Sequence, residues 1–145
     1  MLSQLRVDEL LAAIGAKTPA PASGAATALT AALAAALAEL SARYAGNEDD
    51  AERAQAVAAE LVELGDADAA AYRAFMADRN EETRAAIVRL PEDIARLADE
   101  AVEIARRAED RLSPAVAGDA RASADLGRAA AAVARGLAEL NRAGS

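Results

Sequence analysis

The chain has 145 residues, a net charge of −8, 54% hydrophobic residues and only 2% aromatic ones. An acidic balance of this size excludes a general nucleic-acid binder, which needs a basic face. The absence of cysteine and histidine excludes disulfides, thiolate zinc sites, histidine phosphotransfer and a Ser-His-Asp triad.

Alanine makes up about a third of the chain and is the best helix former, so an all-α fold is expected. The first helix is expected near 3–14, with Leu5, Leu10, Leu11 and Ile14 on one side. The acids Asp8 and Glu9 stand where a signal peptide would need a basic start. A turn follows, Lys17-Thr18-Pro19-Ala20-Pro21-Ala22-Ser23-Gly24. Its prolines suit the approach to a helix, and Ser23 and Gly24 are good cap residues. Free backbone N–H groups at such a start can hold an anion or a carbonyl oxygen, and a turn of small residues lets a flat ligand approach closely.

The second helix is expected from Ser23 to about 44–46, with Ala25, Leu29, Ala32, Leu33, Ala36, Leu37 and Leu40 at helical spacing. Its uncharged part, 25–38, is shorter than the roughly 20 residues a membrane span needs. A cytoplasmic protein with no membrane partner is therefore expected. Asn47 followed by three acids opens a third helix that runs to about Ala77. Asn80-Glu81-Glu82 repeats that pattern for a short fourth piece ending before Pro91, which either begins a new helix or kinks a continuous one. Beyond it Ile94, Leu97, Ala98, Ala101, Ala105 and Ala108 are expected to face inward. The stretch 113–122 is expected to be a loop, with Ser123 capping a last helix whose stripe is Leu126, Ala130, Val133, Leu137 and Leu140. No linker divides the chain. The expectation is one domain over 1–145, an up-and-down multi-helix bundle with close, Ala-rich packing.

One residue on the third helix breaks its pattern. Val57, Leu61, Leu64, Asp68, Tyr72 and Phe75 share a face, so a carboxylate sits within an apolar stripe. Burying it unpaired is costly. It must bond an arginine or helix N-terminus across the bundle, or face a ligand. Asp66 is about 200° away around the helix. Tyr72 reads as core or as part of a binding surface. Asp125 lies in the expected first turn of the last helix, where an acid favours the dipole or serves a site. Asn141 reads as a polar residue near a fraying terminus. Glu60, Glu63 and Asp66 loosely suggest a magnesium-binding acid cluster of the all-α nucleotide pyrophosphatase type, although the same residues read as a charged outer face. No metal site is assigned.

In their order, these pieces resemble the cyclodeaminase/cyclohydrolase family, which includes methenyltetrahydrofolate cyclohydrolases and the C-terminal domain of formiminotransferase-cyclodeaminase. The family's Pro-x-Pro-Gly-Gly-Gly turn is matched by Pro19-Ala20-Pro21-Ala22-Ser23-Gly24, with two of the three glycines replaced. Its Asp-x-Asp-x-x-Ala-Tyr segment is matched by Asp66-Ala67-Asp68-Ala69-Ala70-Ala71-Tyr72. A later proline matches Pro91, a Ser-Asp-Leu-Gly stretch is echoed by Ala124-Asp125-Leu126-Gly127, and a closing asparagine by Asn141. The resemblance implies a homodimeric helical enzyme acting on a tetrahydrofolate one-carbon adduct without a cofactor. It would hydrolyse 5,10-methenyltetrahydrofolate or deaminate 5-formiminotetrahydrofolate. Asp68 and Asp125 would be catalytic, and Pro21, Ser23, Gly24 and Tyr72 would bind substrate, with arginines such as Arg43 or Arg121 near an anionic tail. The alternative is a non-catalytic binding or oligomerisation module of the same fold.

Overall fold

A computed structural model describes residues 1–144. A 3-10 turn, Leu2–Gln4, precedes five α-helices: α1 (Val7–Gly15), α2 (Ser23–Tyr44), α3 (Glu48–Ala77), α4 (Glu81–Glu109) and α5 (Pro114–Ala143). There is no strand among the described residues. The four long helices run up and down against one another, and α1 stands off them with no buried residue.

The helix starts follow local chemistry. The Asn47 side chain accepts from the Asp50 N–H at 3.1 Å, and the Asn80 side chain accepts from the Thr83 N–H at 2.9 Å. Each satisfies one of the donors that a helix start leaves open. Two expectations fail at the boundaries. Pro91 lies inside one continuous α4, which leaves the kink reading. The stretch 113–122 is helical, because α5 begins at Pro114 behind Ser113. Ser-Pro is itself the pattern of a helix start, with proline at the first position, where its missing N–H costs nothing. Ser123 is therefore no cap. It lies buried in mid-helix and donates its hydroxyl to the Ala34 carbonyl at 2.6 Å, tying α5 to α2.

Of the stripes expected on α2 and α5, Ala25, Ala32 and Ala130 are buried, but Leu33, Leu40, Leu126, Val133 and Leu140 turn outward. The inward residues of α2 are Gly24, Ala25, Thr27, Ala28, Ala31, Ala32, Ala34, Ala35, Ala38, Ser41 and Ala42, while Leu33 is 65% exposed. On α5 the buried stripe is Ala, Ser and Gly, and Leu126, Val133 and Leu140 face outward. The bulk comes from the other two helices: Val57, Leu61 and Phe75 of α3, and Ile87, Leu90, Ile94, Leu97, Val102 and Ile104 of α4. Smooth small-residue helices thus receive the large side chains of their neighbours, and backbones come close. A Cβ added to Gly127 would stand 2.6 Å from Val102 Cγ2 and 3.4 Å from the Ala98 carbonyl oxygen. By length and apolarity α2 would suit a membrane span, but half of its residues are buried inside the bundle.

Candidate active site

Alternating helix directions gather four ends at one place. The entry to α2, the late part of α3, the early part of α4 and the end of α5 enclose a cavity of about 230 Å³. Its polar wall is Ser23, Gly24, Asp68 and Asn141, and its apolar wall includes Tyr72, Ile87, Pro91, Leu137 and Leu140.

Asp68 is the one acid that lines the cavity. No hydrogen bond or ion pair holds its carboxylate among the described residues. Of the two readings open from sequence, this is the one in which the acid faces a cavity. Burial alone pushes its pKa from 3.8 up to about 6, because a low-dielectric setting disfavours the charged form. The carboxylate presses on the start of α2. A Cβ added to Gly24 would lie 2.0 Å from Asp68 Oδ2 and 2.4 Å from its Cγ. Ala22, the N-cap residue, gives no side-chain cap, so the first N–H groups of α2 stay open to a ligand.

The two lost glycines now have a physical reading. Ala22 has φ −144°, and the only positive φ among the described residues belongs to Gly46. Nothing in the turn's backbone therefore demands glycine at 22 or 23. The glycine retained, Gly24, is the one with no room for a side chain. The turn is pinned from α3 by Arg73, whose Nη2 donates to the Ala20 carbonyl at 3.2 Å. The Ala20–Pro21 bond is cis.

Of the residues picked from sequence, Asp68, Ser23, Gly24 and Tyr72 line this cavity together. Pro21 is buried in the turn behind its wall. Asp125 is elsewhere: it lies mid-way along α5, exposed, and bonds Arg128 at 3.1 Å. The misplaced start of α5 accounts for the first-turn reading of Asp125, and the catalytic reading came from the resemblance. Arg43 pairs with Glu39 and Glu48 near the far end of α2, about 30 Å of helix from Gly24, and Arg121 pairs with Glu109. Arg73 and Lys17 are the cations nearest to the turn in space or sequence. Asp66 accepts from the Leu2 N–H at 2.7 Å, and Glu60 lies 3.6 Å from Arg53. Among the described residues no three acids gather as a metal site.

Sequence reasoning undervalued Asn141. It reaches across from α5, and its Nδ2 donates to the Ile87 carbonyl of α4 at 2.7 Å. A proline four residues after Ile87 announces an orphaned carbonyl, but sequence alone does not say which donor will find it.

An all-α bundle with an acid-bearing cavity where four helix ends converge is the class these features define. The profile of the formiminotransferase-cyclodeaminase family matches residues 6–144, and the chain belongs to that family. The crystal structure of formiminotetrahydrofolate cyclodeaminase from Thermotoga maritima superimposes with a TM-score of 0.90, covering 98% of this chain and 80% of the other at 21% identity. That likeness establishes the fold. No curated protein sequence gives a significant match.

Proposed function

We propose that this chain is an enzyme of folate one-carbon metabolism, hydrolysing 5,10-methenyltetrahydrofolate or deaminating 5-formiminotetrahydrofolate. The observation that carries the reading is the unpaired Asp68 carboxylate, with a pKa of about 6, facing the cavity at the start of α2. Family membership supplies the substrate class. A cavity of about 230 Å³ suits a fused-ring head group with the rest of a longer molecule left outside.

In the hydrolytic reaction, water adds to the electron-poor methenyl carbon and Asp68 takes the proton that the water loses. The carbinolamine then opens by breaking its bond to N5: Asp68 returns the proton to that nitrogen, and the hydroxyl gives its own proton to solvent as its oxygen becomes the carbonyl of the 10-formyl product. In the deamination, N10 attacks the formimino carbon, Asp68 takes the N10 proton and passes it to the amino group, and that carbon–nitrogen bond breaks to release ammonia and leave the 5,10-methenyl product. Both need one group that accepts and releases a proton near neutrality, which a carboxylate with a raised pKa does well. Ser23 and Gly24 bring backbone donors, and Pro21 shapes the turn behind them. Tyr72 walls the ring, and Asn141 takes the place intended for Asp125 as the second polar contact. Arg73 stands nearest for an anionic tail.

The same reading includes a homodimer. The leucine face of α2 and the unpacked α1 together form an apolar groove of about 660 Å³, bounded by Val7, Leu11, Ile14, Leu29, Leu33 and Val62. A second copy of the chain would cover it.

The test follows the loss of the methenyl chromophore, and in parallel the release of ammonia from the formimino substrate, with wild type and Asp68→Asn. Turnover of one substrate by wild type and its loss in the variant is expected. Tight folate binding without turnover of either substrate would establish the non-catalytic module instead.

A further inference from the structure

Four residues of α2 carry a hydroxyl, Ser23, Thr27, Thr30 and Ser41, and three of them spend it on the helix itself. Thr27, Thr30 and Ser41 donate to the carbonyls of Ser23, Ala26 and Leu37 at 2.7, 2.8 and 2.8 Å. Each reaches one turn back, the ordinary partner of a hydroxyl within a helix. Ser23 is the first residue of α2, so no helical turn precedes it. Nor does it cap the helix, since Ala22 is the N-cap residue. Among the described residues its hydroxyl has no hydrogen bond, and Ser23 lies exposed on the cavity wall. The turn that this one resembles carries glycine here, so the hydroxyl is this chain's own.

Asp68 is close by. Its Oδ2 would stand 2.0 Å from a Cβ on Gly24, and neighbouring Cα atoms such as those of Ser23 and Gly24 are only about 3.8 Å apart. A carboxylate and a hydroxyl so placed can hold one water between them. The open N–H groups of the α2 start cannot take a hydrogen of that water, because they only donate, whereas the Ser23 oxygen also accepts. We propose that the Ser23 hydroxyl holds the water that attacks the methenyl carbon, and so directs this cavity to hydrolysis rather than deamination. This role rests on the reading of the cavity as the folate site. The water gives one proton to Asp68 as its oxygen bonds to the carbon. It keeps its other hydrogen, which the Ser23 oxygen accepts as a hydrogen bond. That hydrogen leaves to solvent from the exposed rim when the bond to N5 breaks, Asp68 protonates N5 and the oxygen becomes a carbonyl. Deamination takes up no water, so the hydroxyl adds nothing to its chemical step.

The test measures kcat and KM for hydrolysis of 5,10-methenyltetrahydrofolate, and for ammonia release from 5-formiminotetrahydrofolate, in wild type, Ser23→Ala and Ser23→Thr. A retained helical CD signal shows that each variant folds. Wild type is expected to hydrolyse the methenyl substrate. In Ser23→Ala the kcat of hydrolysis should fall about tenfold while KM changes by less than about twofold, because the hydroxyl holds the water and not the folate. Any ammonia release should fall by less than hydrolysis does. Ser23→Thr keeps a hydroxyl and should recover most of the hydrolysis. Unchanged hydrolysis in Ser23→Ala, a threonine variant as slow as the alanine one, or equal losses in both reactions would overturn the proposal. A wild type that releases ammonia but does not hydrolyse the methenyl substrate would overturn it too, and leave the wider folate reading standing. Turnover of neither substrate removes both.

Discussion

At Asp68, stability and activity pull in opposite directions. Its native pKa of about 6 lies above the ordinary 3.8, so the folded state holds this proton more tightly than the unfolded chain. Below about pH 3.8 the residue therefore carries no penalty. The penalty grows as pH rises to about 6 and is constant above it. After discounting for the solvent that still reaches the group, it amounts to on the order of 2 kcal/mol. Asp68→Asn should be more stable than wild type by about that amount at pH 8, with the gain shrinking towards pH 5, as denaturant titration at the two pH values will read. A variant that gains nothing at pH 8 would show that the acid is already well solvated. Activity should rise through an apparent pKa near 6 as the base ionises, and fall by about 10²–10⁴ in Asp68→Asn. Gly24 guards the same carboxylate. Gly24→Ala should keep the helical CD signal but lose about 10² in kcat/KM, because its Cβ must push Asp68 away. A fully active Gly24→Ala would mean that the acid's position is irrelevant to turnover.

Among the elements, periodicity located α2 and α3 and the inward face of α4, because caps and helical spacing are local signals. It placed leucines of α2 and α5 inward that the fold turns out, while Ala25, Ala32 and Ala130 of the same stripes are buried as expected. Both candidate stripes of α2 have helical spacing, and hydropathy alone favours the leucines. What turns the leucines out is close packing against the bulky faces of α3 and α4, which leaves room for small residues. Gly127 is the instance between α5 and α4. Gly127→Ala gains up to about 1 kcal/mol of helix propensity, but overpacking against Val102 costs about 1–3 kcal/mol. A net loss in stability is expected by thermal or chemical unfolding, restored when Val102→Ala is added. Persistence of the loss in that double variant would place the strain at the Ala98 carbonyl instead. The same non-local packing explains Ser123. A serine suggests a cap when read locally, whereas here it bridges to Ala34 from the middle of a helix.

For the whole molecule, charge and exposed apolar surface make separate contributions. Salt bridges such as Arg53–Glu100, Arg107–Asp50, Arg135–Asp99 and Arg142–Glu92 lie at the surface between helices, where each contributes little and salt screens it. The leucines turned out of α2, with Val7 and Leu11 of α1, form an exposed apolar face, the kind of surface that suits a protein–protein contact. Light scattering on the purified protein should give twice 14.8 kDa, and Leu33→Glu should halve that mass without unfolding the bundle. A wild-type mass of one chain would remove the dimer from the proposal.

The helical class, most helix starts and the two motifs of the site, the Pro19–Gly24 turn and the Asp68 stripe, were legible in the sequence. These depend on propensity, caps and periods spanning a few residues. Only the tertiary structure decided that Asp68 lacks a partner, that Gly24 has no room for a Cβ, that Asp125 lies apart and that Asn141 joins the cavity. The reason is physical: each is a relation between helices far apart in the chain, set by how closely small-residue faces let their backbones meet.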